Sequence, residues 1–283
     1  MNPACLAYCL TPEERRQFEE DGYFIVEDVL PTEKIEALSV ITDAVDAEHR
    51  AEKGLSQTGR VNVLDFIGKD RAFLELVDWY KTFPKVWGIL GWNIQIYHSH
   101  LIVTPPETPT NGRDLKLGWH QDSDRLNKEL ETNPRPRISL KVAFFLSDCT
   151  QPYRGNFYVI PGSHLKNKVD LPKGDRKAEI ESGVPVLAPR GSAVFFDRRL
   201  WHSASANYWT EPRRVLFYGY SYRWLRPRDN ITVSHYWEEL DPIRKQLFGA
   251  SPTGGYGYTS PRDEDVPLRG WIREHLGESA VMP

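Results

Sequence analysis

The chain has 283 residues, enough for one large domain with a sizeable core. Its 36 basic and 39 acidic side chains leave a net charge of −3, which argues against a nucleic acid or an anionic membrane as partner. The longest early apolar stretch, residues 4–10, is too short to span a bilayer and lacks a preceding basic region, so we expect a cytoplasmic protein. Three cysteines, Cys5, Cys9 and Cys149, are too few for a disulfide framework and lack zinc-finger spacing.

The first third of the chain predicts a layer of helices. Thr11 is a helix cap followed by a first-turn proline and two glutamates, which predicts a helix from residue 13 to 21, ended by Gly22. Residues 23–26 predict a short strand, and residues 71–80 another helical stretch. Between them, apolar residues recur at helical spacing after Pro31 and predict a second helix. These are Ile35, Leu38, Ile41 and Val45.

The periodicity changes to two from residue 93, and short strand-like runs follow one another with turn signals between them. The runs are residues 93–103, 138–146, 156–160, 192–196 and 214–224. Short strands with helices segregated to one end favour an α+β protein, mainly β, built on a double-stranded β-helix, which is a cupin-like jelly roll. We therefore expect residues 1–283 to form a single domain. Its parts are a helical layer over about 10–92, a jelly-roll core over about 93–225, and a C-terminal lid over about 226–283 with helical stretches near 236–248 and 268–276.

Two histidines and one aspartate have the pattern of a metal site. His120 and Asp122 follow the strand-like residues 115–119, and side chains two apart on a strand point to the same face. His202, after another strand-like run, offers a third ligand. Two imidazoles and one carboxylate with open positions form the facial triad of non-heme Fe(II) oxygenases. A His-x-Asp pair alone recurs by chance, so the flanking residues decide the interpretation.

An arginine at a fixed distance from His202 supports a bound carboxylate. Arg213 lies eleven residues further on and opens a strand. A guanidinium held at a strand end can bind a carboxylate through two hydrogen bonds, although solvated edge charges are the commoner fate of such residues. Because Arg213 and Arg214 alternate across the strand, only one can face the interior, and Arg213 shares its face with Val215 and Phe217.

The chain resembles the phytanoyl-CoA dioxygenase family of Fe(II)/2-oxoglutarate-dependent oxygenases over about residues 10–224. The matching motifs are residues 10–13, 21–26, 120–122, 159–164, 201–203 and Arg213. The resemblance implies that iron binds to His120, Asp122 and His202. It also implies that Arg213 pairs with the distal carboxylate of 2-oxoglutarate.

Further cosubstrate contacts are implied by the same resemblance. His100 and Phe144 match positions that line the cosubstrate pocket. Family members often have a serine two residues after the distal histidine, where this chain has Ala204, with Ser203 one residue earlier. The cofactors implied are Fe(II), with 2-oxoglutarate and dioxygen as cosubstrates.

The implied reaction is hydroxylation of an unactivated C–H bond of a small molecule, with release of succinate and CO2. Desaturation, epoxidation and ring formation stay open, whereas Asp122 disfavours halogenation because it fills the position a halide would need. A non-catalytic jelly-roll binding module is the competing class, but its triad should be broken. A same-fold enzyme using another metal without 2-oxoglutarate is a further alternative, against which Arg213 argues.

Several other residues are less decisive. His98 shares a strand face with His100, so if one of them enters the pocket, the other is expected to enter it too. Lys141 is either a solvent-facing strand residue or a group aimed at substrate, and His164 fits a structural turn between core strands.

Substrate choice is assigned by the resemblance to loops at 104–117, 166–183 and 226–258. These loops contain many acids as well as basic residues, so they predict no substrate charge. The basic residues include Arg113, Lys116, Lys166, Lys168, Arg226 and Arg228.

Overall fold

Two antiparallel sheets form the core of the computed structural model, which describes residues 1–109, 112 and 114–282. The large sheet has six strands in the order β1-β7-β4-β9-β3-β2, and the small sheet has three in the order β6-β5-β8. The strands are β1 Tyr23–Val26, β2 Val61–Leu64, β3 Ile94–Thr104, β4 Ser139–Phe145, β5 Phe157–Val159, β6 Val184–Pro185, β7 Ala193–Asp197, β8 His202–Ala204 and β9 Arg213–Tyr222. The non-sequential strand order confirms the jelly roll.

Seven α-helices accompany the sheets within the described residues. They are α1 Pro12–Asp21, α2 Thr32–Lys53, α3 Arg71–Leu74, α4 Phe83–Leu90, α5 Asp124–Glu129, α6 Pro242–Leu247 and α7 Pro267–Leu276. The Thr11 hydroxyl accepts from the Glu14 N–H while the Glu14 carboxylate accepts from the Thr11 N–H, so the expected cap of α1 is a complete capping box. Gly22 ends the helix in the left-handed conformation, with φ 84°. A Cβ there would lie 2.6 Å from Nδ1 of His164, so this turn requires glycine.

The large sheet has two different faces. Its outer face packs against the helices in the larger apolar cluster, where Tyr218 and Phe144 contact each other with ring centres 5.5 Å apart. Its inner face looks toward the small sheet, with Phe145, Val215 and Phe217 among the buried residues. Strict alternation along β4 and β9 produces both faces.

Three parts of the sequence-based description differ from the structure. Only residues 71–74 of the expected helix over 71–80 form an α-helix, and α4 follows at Phe83–Leu90. Helix α4 has only eight residues, most of them buried and apolar, and so short an apolar run does not distinguish a helix from a strand. The segment 115–119 has no strand partner and is irregular. Strand β2, which pairs with β3, was not expected.

The C-terminal segment also differs from the expected lid. Helices α6 and α7 pack into the helix-side cluster through Ile243, Leu247 and Leu268, away from the mouth of the barrel. Of its described residues, Arg226 and Arg228, near its beginning, lie at the mouth. No helix among the described residues is long and apolar enough to cross a membrane.

Candidate functional site

His120, Asp122 and His202 converge at the mouth of the jelly roll. One ligand atom from each lies within 4.8 Å of the others, and the two imidazole ring centres are 4.3 Å apart. His202 begins β8, whereas His120 forms an isolated bridge with it. The backbone N–H of each histidine donates to the carbonyl of the other, at 3.0 and 2.9 Å. The three side chains converge as the spacing predicted. The convergence comes from the backbone bridge between His120 and His202, whereas the expected strand over 115–119 is not formed.

Both imidazoles are oriented by carbonyl groups of the main chain. Nδ1 of His120 donates to the Gly118 carbonyl and Nδ1 of His202 to the Leu200 carbonyl, each at 2.8 Å. These bonds select the tautomer in which Nε2 has its lone pair free, as metal-binding histidines require. Burial, with His120 close by, lowers the pKa of His202 to about 3, so this imidazole is neutral at physiological pH.

The Asp122 carboxylate is paired with a buried lysine. Nζ of Lys141 lies 3.0 Å from one carboxylate oxygen and 2.9 Å from the other. Lys141 is 3% exposed, which settles it as an interior residue. Burial alone would raise the pKa of Asp122, but the charge of the Lys141 ammonium and its hydrogen bond to the carboxylate hold that pKa below its usual value. The carboxylate is therefore ionised and available as a ligand.

A cavity of about 390 Å³ extends from the three side chains into the barrel, between the sheets. Arg213 lines it and is 2% exposed, and none of its three guanidinium nitrogens has a hydrogen-bond partner among the described residues. Burial lowers the pKa of this guanidinium to about 10. A buried cation without a partner is costly, so this end of the cavity is suited to an anion.

The neighbouring arginine faces the opposite way. Nε and Nη2 of Arg214 donate to the two oxygens of Asp43 at 2.6 and 2.9 Å, on the α2 side of the sheet. The predicted register of β9, with Arg213 inward, is therefore present.

The remaining predicted pocket residues divide into two groups. His100, Ser203 and Ala204 line the smaller cavity, and Nε2 of His100 is buried without a partner. The Ser203 hydroxyl accepts from the Gly118 N–H at 2.7 Å and so braces the segment before His120. Phe144 is not brought to the cavity: β4 turns it toward the helices, and the inward residue is Phe145, whose ring centre lies 5.4 Å from the Arg213 guanidinium.

Two other histidines have structural partners. His98 packs its ring 3.8 Å from that of His100 but does not line either cavity at this site, because its Nδ1 is held 2.9 Å from the Asp229 carboxylate. The expectation that both enter the pocket therefore holds only for His100. Nε2 of His164 lies 3.1 Å from the Glu19 carbonyl, consistent with the structural turn predicted for it.

A second, larger cavity of about 860 Å³ opens on the other side of the three converging side chains. His100, His120 and Asp122 line both cavities, so the two meet at the candidate metal position. Trp201 and Leu225 form apolar parts of the larger one. This chamber has no local signature in the sequence, because its walls come from segments far apart in the chain.

The residues present fit both a metal and an organic anion. Two imidazoles and an ionised carboxylate are the donor set of a mononuclear Fe(II) site, and a buried guanidinium without a hydrogen-bond partner among the described residues fits a carboxylate in the same cavity. This combination defines the class of non-heme iron oxygenases that use 2-oxoglutarate. The Phytanoyl-CoA dioxygenase (PhyH) family profile matches residues 18–215. The chain therefore belongs to the phytanoyl-CoA dioxygenase family and is a non-heme iron, 2-oxoglutarate-dependent dioxygenase.

Individual relatives agree with this assignment. The chain is similar to ectoine dioxygenase of Sphingopyxis alaskensis, at 23% identity over 241 residues that cover 75% of this chain and 76% of the relative. EctD from S. alaskensis, solved with 2-oxoglutarate and 5-hydroxyectoine, has a TM-score of 0.60 at 20% identity, covering 92% of this chain and 90% of that one. HygX from Streptomyces hygroscopicus, solved with nickel and 2-oxoglutarate, has a TM-score of 0.58 at 16% identity, covering 77% and 89%. These likenesses support the shared fold.

Proposed function

We propose that the protein hydroxylates an unactivated C–H bond of a small molecule, with His120, Asp122 and His202 as the iron ligands. Arg213 would hold the distal carboxylate of 2-oxoglutarate. The observation that carries this proposal is the buried guanidinium, which has no hydrogen-bond partner among the described residues and shares a cavity with the three converging side chains. When bound, iron and 2-oxoglutarate supply the oxidation: 2-oxoglutarate is converted to succinate and CO2, and one oxygen atom of O2 goes to the substrate.

The protein's own residues have a positioning role in this proposal. The carbonyls of Gly118 and Leu200 fix the two imidazoles before any ligand arrives. The two cavities separate the bound molecules: 2-oxoglutarate occupies the smaller one, and the substrate enters through the larger one. Because they meet at His120 and Asp122, the substrate C–H bond is presented next to the metal.

The iron ligands are tested by metal binding. His202→Ala should bind Fe(II) at least about 100-fold more weakly than the wild-type protein, because one of three ligands is lost. His164→Ala is the matched control, since His164 is also buried, its Nε2 lies 3.1 Å from the Glu19 carbonyl, and it is not one of the three converging side chains. Binding is measured by titration without oxygen. Unchanged iron affinity in His202→Ala would contradict the ligand assignment.

The reaction is tested by a screen for compounds that stimulate succinate formation. A true substrate should raise the rate of succinate release and give a product 16 mass units heavier, as expected for one added oxygen atom. Product and succinate should form in roughly equal amounts. Stoichiometric loss of two hydrogens from the substrate would indicate desaturation or ring closure and would contradict hydroxylation as the main outcome.

A further inference from the structure

The larger cavity has a charge opposite to that of the protein as a whole. The chain carries a net charge of −3, yet seven of the described residues lining this cavity are lysine or arginine and only two are acidic, Asp122 and Asp124. Asp122 is already paired with Lys141, which belongs to the wall of the smaller cavity. The field inside the larger cavity is therefore positive.

Most of these cations form no close ion pair with another described residue. Arg125 pairs with Glu129 and Lys128 with Asp124, each at 2.8 Å. No carboxylate oxygen of the described residues lies within 4.0 Å of the charged nitrogens of the other five. These are Arg135, Lys168, Arg176, Arg226 and Arg228. They come from three separate segments of the chain, so the fold itself gathers them around one opening.

Arg135 is the most firmly held of the five. Its Nε donates to the Asn127 carbonyl at 2.7 Å, and Nη1 donates to the Gln121 side-chain oxygen at 3.1 Å and to the Asn167 carbonyl at 3.4 Å. All three acceptors are neutral, so they fix the guanidinium without cancelling its charge. A preorganised cation on a cavity wall is a recognition element for an anion.

The same chamber has an apolar surface. Leu126, Trp201 and Leu225 lie among its lining residues, next to the wall formed by His120 and Asp122. A ligand that satisfied both parts would have a negative group near the arginines and a hydrocarbon or ring body along the apolar side chains.

We propose that the larger cavity binds a substrate with a carboxylate or phosphate group on an apolar body. The anionic group sits among Arg135, Arg176 and Arg226, and the body reaches toward His120 and Asp122. The identity of this ligand as substrate rests on the proposed function, because the cavity must meet the metal position for the bound body to be oxidised. The loops alone did not predict this charge, because none of their described acidic residues lines the larger cavity.

The test uses four probes with one six-carbon chain and different head groups: hexanoate, hexyl phosphate, hexan-1-ol and hexylamine. The protein is loaded with Fe(II) and saturating 2-oxoglutarate under exclusion of oxygen, so that the smaller cavity is filled, and binding is followed by calorimetry. At least one anion should bind about tenfold or more tightly than the alcohol and the amine, and its affinity should fall as salt is added. The tighter anion identifies the head group as carboxylate or phosphate.

Variants locate the binding. The double variant Arg176→Gln, Arg226→Gln should weaken the tighter anion at least about tenfold and leave the alcohol unaffected. Arg190→Gln is the matched control, because Arg190 is exposed, lacks a carboxylate partner among the described residues and lines neither cavity.

Equal affinity for the alcohol and both anions, or an anion affinity that the double variant does not change, would overturn this proposal. The 2-oxoglutarate titration that precedes the probes tests the proposed function separately. Failure of 2-oxoglutarate to bind would contradict that function, whereas normal 2-oxoglutarate binding without anion preference would contradict only the substrate class.

Discussion

Replacing Arg213 should have opposite effects on cosubstrate binding and on stability. In Arg213→Met the side chain keeps much of its apolar length but loses the charge that would pair with 2-oxoglutarate. Loss of a buried, charge-assisted pair costs about 2–5 kcal/mol, so 2-oxoglutarate affinity should fall by roughly 30-fold or more. Without 2-oxoglutarate the guanidinium has no hydrogen-bond partner among the described residues, and burial lowers its pKa from the ordinary value of an arginine to about 10. That difference corresponds to about 3 kcal/mol against the buried charge, so the ligand-free variant should be more stable by up to roughly this amount.

Calorimetric titration of the metal-loaded protein measures the first effect, and urea unfolding of the ligand-free protein measures the second. Arg214→Met is the matched control on the same strand. It breaks a partly exposed ion pair with Asp43, so we expect a loss of at most about 1 kcal/mol in stability and unchanged 2-oxoglutarate affinity. The reasoning is refuted if Arg213→Met binds 2-oxoglutarate normally, or if Arg214→Met has the binding defect instead.

Three other substitutions or conditions test the remaining structure. Lys141→Met should destabilise the metal-free protein by about 3–5 kcal/mol, because it leaves the Asp122 carboxylate without a cation. Urea unfolding should show that added Mn²⁺ restores part of the lost stability, and an equal loss with and without metal would contradict this pairing. Lowering the pH from 7 to 5 should destabilise the metal-free protein by about 2 kcal/mol through His202. The unfolded imidazole, with a pKa near 6.5, takes a proton that the buried one, with a pKa of about 3, does not. In His202→Gln, the difference in the free energy of unfolding in urea between the two pH values should shrink by that amount. Gly22→Ala should lower the free energy of unfolding by about 2 kcal/mol because of its positive φ and the nearby His164 ring, and an unchanged thermal midpoint would speak against the described turn.

The parts of the fold that sequence reasoning predicted are those with a local signal. Thr11 and Gly22 delimit α1 through capping chemistry alone, and the alternation in β9 separates Arg213 from Arg214. Helix α4 was not predicted, because a short, mostly buried apolar run of eight residues can be a helix or a strand.

In the candidate site, too, the features that were predicted are those with a local signal in the sequence. Residue type and spacing pointed to His120, Asp122 and His202, whose ligand atoms the structure brings together. Which of Phe144 and Phe145 faces the interior depends on the strand register, which the motif match did not specify. The positive charge of the larger cavity comes from segments distant in the chain, and composition gives only their sum, which is slightly negative.

The reciprocal backbone hydrogen bonds between His120 and His202 hold these two residues together independently of the rest of the chain between them. Main-chain groups set the spacing of the two imidazoles, so loops between these residues can change length or sequence without moving them. Much of the wall of the larger cavity, including Arg135, Lys168 and Arg176, belongs to that intervening chain. New substrates can therefore be accommodated by altering these loops while the oxidising centre keeps its shape.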